Sequence, residues 1–266
     1  MSLLKLRNRF KTIGSLNSIF SALQVVTMVR TQRIKEKYHA MERYLGPMRG
    51  VLAGGRQAQE TKGKTLIIIT SNRGLCGAFN RAAAAMAEPF IKQHPDAFIA
   101  VIGKTGLEQL RRKNIQPGLT DLEVAEKPTF ANVAGLFARL YDREAEIHVA
   151  YNSYRSTAVQ VPKVYQLSPV PEELGAARAP ADIILEPDQA TLREKMLYHY
   201  LEARFFQIVL ESQLGELGSR FMVLNGAVEN SEEMISGLKL SINKARQADI
   251  TKELLEHNVE VIIYDA

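Results

Sequence analysis

Residues 192–257 contain no proline, and this constrains the fold more than any other feature of the chain. Proline lacks a backbone N–H and breaks helices, so a proline-free stretch of this length can run as a single helix. At a rise of about 1.5 Å per residue, that helix is on the order of 100 Å long. A compact domain is only about 30 Å across, so the helix has to leave any globule it starts in. Its apolar side then needs a partner. The first 46 residues are also proline-free, which makes the opposite end of the chain the candidate.

Apolar residues in the N-terminal segment fall at Leu6, Phe10, Ile13, Leu16, Phe20, Leu23 and Val26. This seam has a period near 3.5 and predicts a left-handed coiled coil. Arg7, Arg9, Lys11, Arg30, Arg33, Lys35 and Lys37 lie mostly off it. Gly46-Pro47 predicts an end or a kink. The C-terminal helix is expected to begin at an N-cap, Asp188. Its predicted seam is Leu192, Met196, Tyr200, Phe205, Ile208, Leu217, Phe221, Leu224, Val228, Ile235, Leu238, Ile242, Ala245, Ile250 and Leu254. Irregular gaps at 213–218 and 229–233, together with Gly215, Gly218, Gly226 and Gly237, predict bends or a local break. The apolar run 259–264 would be an aggregation hazard if exposed, so a partner surface is expected to receive it.

The middle of the chain has a different texture. Gly54, Gly55 and Gly63 mark a polar linker. Apolar strand-length runs follow at 65–70 and 97–103, with strands also predicted at 147–154 and 161–167. Helices are predicted at 78–93, 105–113 and 129–143. A second linker, rich in proline and acidic residues, spans 169–187. Strands alternating with helices imply a small Rossmann-like α/β domain with a mainly parallel sheet. The expected fold is therefore α/β: an antiparallel two-helix coiled coil formed by the terminal helices, with the α/β domain inserted between them. The expected boundaries are 1–58, 59–186 and 187–266.

Composition excludes some classes and leaves others open. The net charge of +5 and pI near 9.2 suit either a nucleic-acid binder or a subunit docked on an acidic partner. A single cysteine, Cys76, excludes a disulfide framework. Gln24, Arg30 and Arg33 interrupt the N-terminal segment, so neither a signal sequence nor a membrane span is expected.

The stretch Asn72-Arg73-Gly74-Leu75-Cys76-Gly77 follows the first strand, where open α/β sheets bind ligands. Backbone amides there can hold an anion, and Cys76 can be read as a nucleophile. The spacing matches no phosphate-binding glycine motif, and none of His39, His94, His148, His199 or His257 sits in a recognisable base motif. A tight structural turn formed by Arg73, Gly74, Cys76 and Gly77 around a small buried thiol is the expected reading. No metal cluster or cofactor is expected. Glu172, Glu173 and Asp182 are read as a solvated linker. Two alternatives remain open: a nucleotide or phosphoester enzyme using Cys76, with a helical oligomerisation arm, and a coiled-coil tether binding nucleic acid through the basic N-terminal helix.

Three stretches resemble the gamma subunit of F-type rotary ATP synthases. Ser71-Asn72-Arg73-Gly74-Leu75-Cys76-Gly77 is similar to that family's Ser/Thr-Asp-Arg-Gly-Leu-Cys-Gly signature, with Asn72 replacing Asp. Asn243-Lys244-Ala245-Arg246-Gln247-Ala248-Asp249-Ile250-Thr251-Lys252-Glu253-Leu254 is close to its C-terminal motif. Glu186-Pro187-Asp188 precedes the long helix. The N-terminal helix also aligns, but lacks a lysine and two methionines usual in the family, so the chain resembles a divergent member.

The resemblance implies a non-catalytic rotor shaft that couples ion-driven rotation of a membrane ring to conformational change in an alpha/beta hexamer. The implied partners are the alpha, beta, epsilon and delta subunits and the c-ring. Membrane attachment would be through these partners, on the cytoplasmic face of a bacterial inner membrane, and no nucleic acid is implied. By position, Leu23, Arg246, Gln247 and Ile262 are expected to contact the hexamer. Tyr200, Glu202 and Arg204 are expected at the foot that meets the ring and epsilon.

Overall fold

A computed structural model describes residues 2–52, 61–170 and 189–264, with backbone alone for 51, 189–194 and 256–264. The expected linker glycines Gly54 and Gly55, residues 171–187 of the second linker and the cap at Asp188 lie outside the described residues. The element order is α1 (Leu3–Leu52), β1 (Lys64–Ile69), α2 (Phe79–Gln93), β2 (Phe98–Ile102), α3 (Lys104–Arg112), β3 (Leu119–Asp121), α4 (Glu123–Glu126), α5 (Phe130–Tyr141), β4 (Glu146–Tyr154), β5 (Gln160–Ser168) and α6 (Gln189–Tyr264). The expected strands and larger helices are all present. The chain divides into two units, Thr27–Met222 and the paired chain ends Met1–Val26 with Val223–Ala266.

In the larger unit, five strands run in the order β3-β2-β1-β4-β5. β1 pairs in parallel with β2 and β4, β2 in parallel with β3, and β5 antiparallel with β4. The continuous apolar runs in β1 and β2 arise because both faces of the sheet are covered. Leu66, Ile68, Ile99, Val101 and Ala150 join Ala87 of α2 and Leu110 of α3 in one cluster. The alternating set Ile67, Ile69, Ala100, Ile102, Val149 and Tyr151 joins Phe137 of α5 and Phe205 and Ile208 of α6 in the other. The period of two thus assigns each strand residue to a helical layer.

α1 does not stop at Gly46-Pro47, where an end or a kink was expected, but continues to Leu52. Leu45 is fully buried in the larger core and Met48 packs against it, so tertiary burial holds the last turns. α6 likewise runs unbroken across all four glycines. For two of these the reason is close approach. A Cβ on Gly215 would lie 3.2 Å from Gln160 Cγ, and one on Gly218 would lie 2.9 Å from the Thr157 carbonyl oxygen. These positions let the β4–β5 hairpin pack onto the helix backbone.

In the smaller unit the helix ends pair antiparallel. Gln24 Nε2 donates to Asn225 Oδ1 at 2.9 Å, and Ser231 Oγ donates to Asn17 Oδ1 at 2.8 Å. As the α1 number falls, the α6 number rises. The seam on α1 is Leu6, Phe10, Ile13, Asn17, Phe20 and Gln24, all buried or half-buried, at alternating steps of four and three. This corrects the apolar seam predicted from sequence: Leu16, Leu23 and Val26 are 39 %, 41 % and 50 % exposed. On α6 the seam is Leu224, Val228, Ser231, Ile235, Leu238, Ile242 and Ala245, and Ser231 fills the gap that looked irregular. Ile250 and Leu254, expected in the seam, are exposed. At this register the start of α1 falls roughly opposite Ala245, so α6 has outrun its partner there.

One stretch of α1 is more apolar than the sequence reading allowed. By length and composition, α1 contains a window apolar enough to cross a bilayer, only 6 % of it buried. Residues 12–29 carry no Asp, Glu, Lys or Arg, and Gln24 interrupts them without charge.

Candidate functional site

The turn after β1 is a packed structural joint. Asn80 of α2 accepts from the Ser71 backbone N–H at 2.8 Å, and its amide donates to Cys76 Sγ at 3.1 Å. Gly77 sits at φ 56°, a left-handed conformation that glycine adopts without a Cβ clash, and Leu75 is held at φ 59°. Asn72 uses both ends of its amide. Its oxygen accepts from the Lys104 N–H at 2.9 Å, and its nitrogen donates to the Leu122 carbonyl at 2.7 Å. An aspartate could not make the second bond, which gives the amide at this position a physical reason.

Cys76 is 3 % exposed, and burial pushes its thiol above the ordinary range. An activated thiolate requires the opposite shift. Its sulfur lies near the Ser71 hydroxyl, the Asn80 amide and the Arg73 carbonyl, a set that contains no base. Among the described residues, no group of three or more His, Cys, Asp or Glu is placed to hold a metal ion.

α6 is bolted to this turn. Ser219 Oγ donates to the Cys76 carbonyl at 2.6 Å, and the Arg220 guanidinium reaches the Arg73 and Gly74 carbonyls at 3.3–3.4 Å. Arg220 also pairs with Glu216 at 2.6 Å, both side chains being nearly buried. Burial raises the Glu216 carboxyl above the ordinary range, opposed by Arg220.

Beside the turn lies a groove of about 320 Å³ lined by Arg30, Arg33, Lys37, Arg73, Lys127 and Arg220, with Glu126 and Glu216 as its acids. Arg73 pairs with Glu126 at 2.5 Å. Sequence reasoning missed this groove. The one available signal was the spacing of Arg30, Arg33 and Lys37 along one helix face.

The residues singled out by position fall in different environments. Leu23 is 41 % exposed, while Arg246 and Gln247 are exposed on α6 just past the point opposite the start of α1. Ile262 belongs to α6, but its side chain lies outside the described residues. Tyr200 is 1 % exposed. Arg204 is half-buried over the Tyr165 ring and donates to Gln207. Glu202 is half-buried and lies 3.7 Å from His199. Arg73, Gly74, Cys76 and Gly77 come together in the turn.

Chain ends that pair as antiparallel helices, with a mixed α/β domain formed by the chain between them, define a coiled-coil class of protein. The family model described as ATP synthase matches residues 2–257. The chain belongs to this ATP synthase family, among its gamma chains. It is 33 % identical to the ATP synthase gamma chain of Geotalea daltonii over 96 % of each chain, and 31 % identical to that of a Geobacter species over the same shares. Its fold matches the rotor of the Euglena gracilis mitochondrial ATP synthase, with TM-score 0.67 and 19 % identity, covering 93 % of this chain and 98 % of that one. A chain of the Euglena OSCP/F1/c-ring assembly matches with TM-score 0.70 and 17 % identity, covering 98 % of this chain and 93 % of that one. As a gamma chain, the protein is a subunit of the membrane-associated ATP synthase complex.

Proposed function

We propose that this chain is the central rotor shaft of an F-type ATP synthase, with no active site of its own. It couples rotation of a membrane c-ring to conformational change in an alpha/beta hexamer. The observation that carries this reading is the antiparallel pairing of the chain ends in a family member whose match runs nearly end to end. Each orientation of an asymmetric shaft stabilises the hexamer conformations by different amounts, so turning the shaft shifts their populations. Residues 1–58 and 187–266 serve as the shaft and 59–186 as the inserted domain.

The hexamer-facing residues are Leu23, Arg246, Gln247 and Ile262. Exposure of Leu23, Leu16 and Val26 off the helix seam supports an apolar contact with a partner. Arg246 suits bidentate pairing with a carboxylate. At the foot, Glu202 meets the ring and epsilon, while Tyr200 and Arg204 hold that surface in shape from inside. The basic groove at Arg30, Arg33 and Lys37 suits an acidic partner surface. The delta subunit completes the assembly, which sits on the cytoplasmic face of a bacterial inner membrane, with membrane attachment through partners. Replacing the native gamma chain of a reconstituted complex by this one tests the reading. Coupled ATP synthesis is expected; assembly without any ion-driven synthesis would overturn it.

A further inference from the structure

We propose that Glu211 is a positioning residue that fixes the rotational setting of α6 on the sheet, so that torque passes between the α/β domain and the helix. The inference rests on the rotor reading above. Glu211 is 6 % exposed and accepts two hydroxyl hydrogen bonds from β4: Tyr151 OH at 3.0 Å on Oε2 and Ser153 Oγ at 2.5 Å on Oε1. Tyr151 and Ser153 are two residues apart and share one face of the strand. β4 is bonded to β1 on one side and β5 on the other, so a load on Glu211 spreads across the sheet.

Around Glu211, Phe205, Ile208, Val209 and Leu210 make apolar contacts with this core, while Arg204 stacks over Tyr165 and Ser219 and Arg220 bond the turn after β1 further along the helix. The apolar contacts are less directional than a hydrogen bond, so Glu211 adds an orientational restraint between the helix and β4 itself. A carboxylate bound at both oxygens is directional. Rotating α6 by one residue, about 100°, would break both bonds. Close approach at Gly215 and Gly218 removes the room for a compensating slide. Burial and the Glu211 charge both push the Tyr151 phenol up, so it stays protonated as the donor. Lys163, over the Tyr151 ring, lies in the field of the same carboxylate. Apolar side chains could fill this volume without the desolvation penalty that a buried carboxylate carries. Its presence therefore points to orientation.

The test uses the full ATP synthase assembled with this chain, measuring ATP hydrolysis and ions pumped per ATP. In E211A, hydrolysis by the assembled complex should persist while the pumping ratio falls by at least about threefold. The Y151F/S153A variant, which leaves the carboxylate in place, should fall similarly. E211Q should recover part of the ratio, because its amide oxygen still accepts one hydroxyl. Combining E211A with Y151F/S153A should add no further loss. A wild-type ratio in assembled E211A or Y151F/S153A complexes would overturn the proposal, even if less complex forms, since lower yield alone marks a purely structural role. If pumping is independent of the gamma chain altogether, the rotor reading fails and this inference with it.

Discussion

Ser231 Oγ donates a 2.8 Å hydrogen bond to Asn17 Oδ1 across 214 residues of sequence, inside the seam of the paired chain ends. Both positions belong to an otherwise largely apolar heptad pattern. A polar pair in a helix seam favours one register: a shifted alignment sets the half-buried Asn17 amide against apolar side chains, while Ser231 Oγ retains only its bond to the Val228 carbonyl within its own helix. Asn17→Ala should therefore cost about 1 kcal/mol in the stability of the helix pair. Hydrogen exchange in α6 near Ser231 should accelerate accordingly, while exchange in β1 should not change.

The glycines of α6 should respond in opposite directions. Gly218→Ala forces a Cβ to 2.9 Å from the Thr157 carbonyl oxygen, and the backbone there cannot swing aside. A loss of about 1–3 kcal/mol is expected. Gly226 has nothing within 4 Å of a built Cβ, so Gly226→Ala should stabilise by up to about 1 kcal/mol through helix propensity alone. Thermal melting of the two variants should move in opposite directions.

Arg220→Ala leaves the Glu216 carboxylate nearly buried and unpaired, and at neutral pH should destabilise by about 3 kcal/mol. The Glu216 carboxyl is already raised above its ordinary 4.5 by burial. A raised carboxyl favours folding below its unfolded value, and this contribution is lost as pH rises through the folded value. Without Arg220 the carboxyl should rise further, so the cost of the substitution should shrink on acidification from neutral pH towards 4.5. Denaturation midpoints of variant and parent across this range check the sign.

Leu23→Asp and Arg246→Glu alter exposed positions, so the isolated chain should melt within about 0.5 kcal/mol of the parent. Both variants should impair hexamer assembly or coupled synthesis. Size-exclusion chromatography of the reconstituted complex, followed by an ATP synthesis assay, checks this. Wild-type assembly and coupling would remove these two residues from the contact surface.

Parts of the fold were legible because a single physical cause controlled each. β1 and β2 read clearly as strands, since covering both faces of the sheet leaves the run apolar throughout. β3 and α4 were missed because three and four residues show no period. The coiled coil was predicted but its seam was displaced: Leu16, Leu23 and Val26 are apolar without being buried, and Asn17 and Gln24 are polar within the seam. Hydrophobicity alone cannot distinguish a face packed on its own chain from one left exposed. Of the bends or local break predicted from Gly215, Gly218, Gly226 and Gly237, no break occurs; the use of Gly215 and Gly218 was hidden because the hairpin that needs them lies about 60 residues away in sequence. The depth of Tyr200 and Arg204 was likewise hidden, since tertiary packing sets it. The basic groove draws its cations from separated segments, so no local motif announces it.

The central claim is that the paired chain ends turn inside a hexamer. The most direct measurement fixes the alpha/beta hexamer to a surface, attaches an optical probe to the α/β domain of this chain, and supplies ATP. Unidirectional stepping that stops when α6 is truncated after Ala245 is the expected result. ATP hydrolysis by the assembled complex with a stationary or randomly diffusing probe would contradict it.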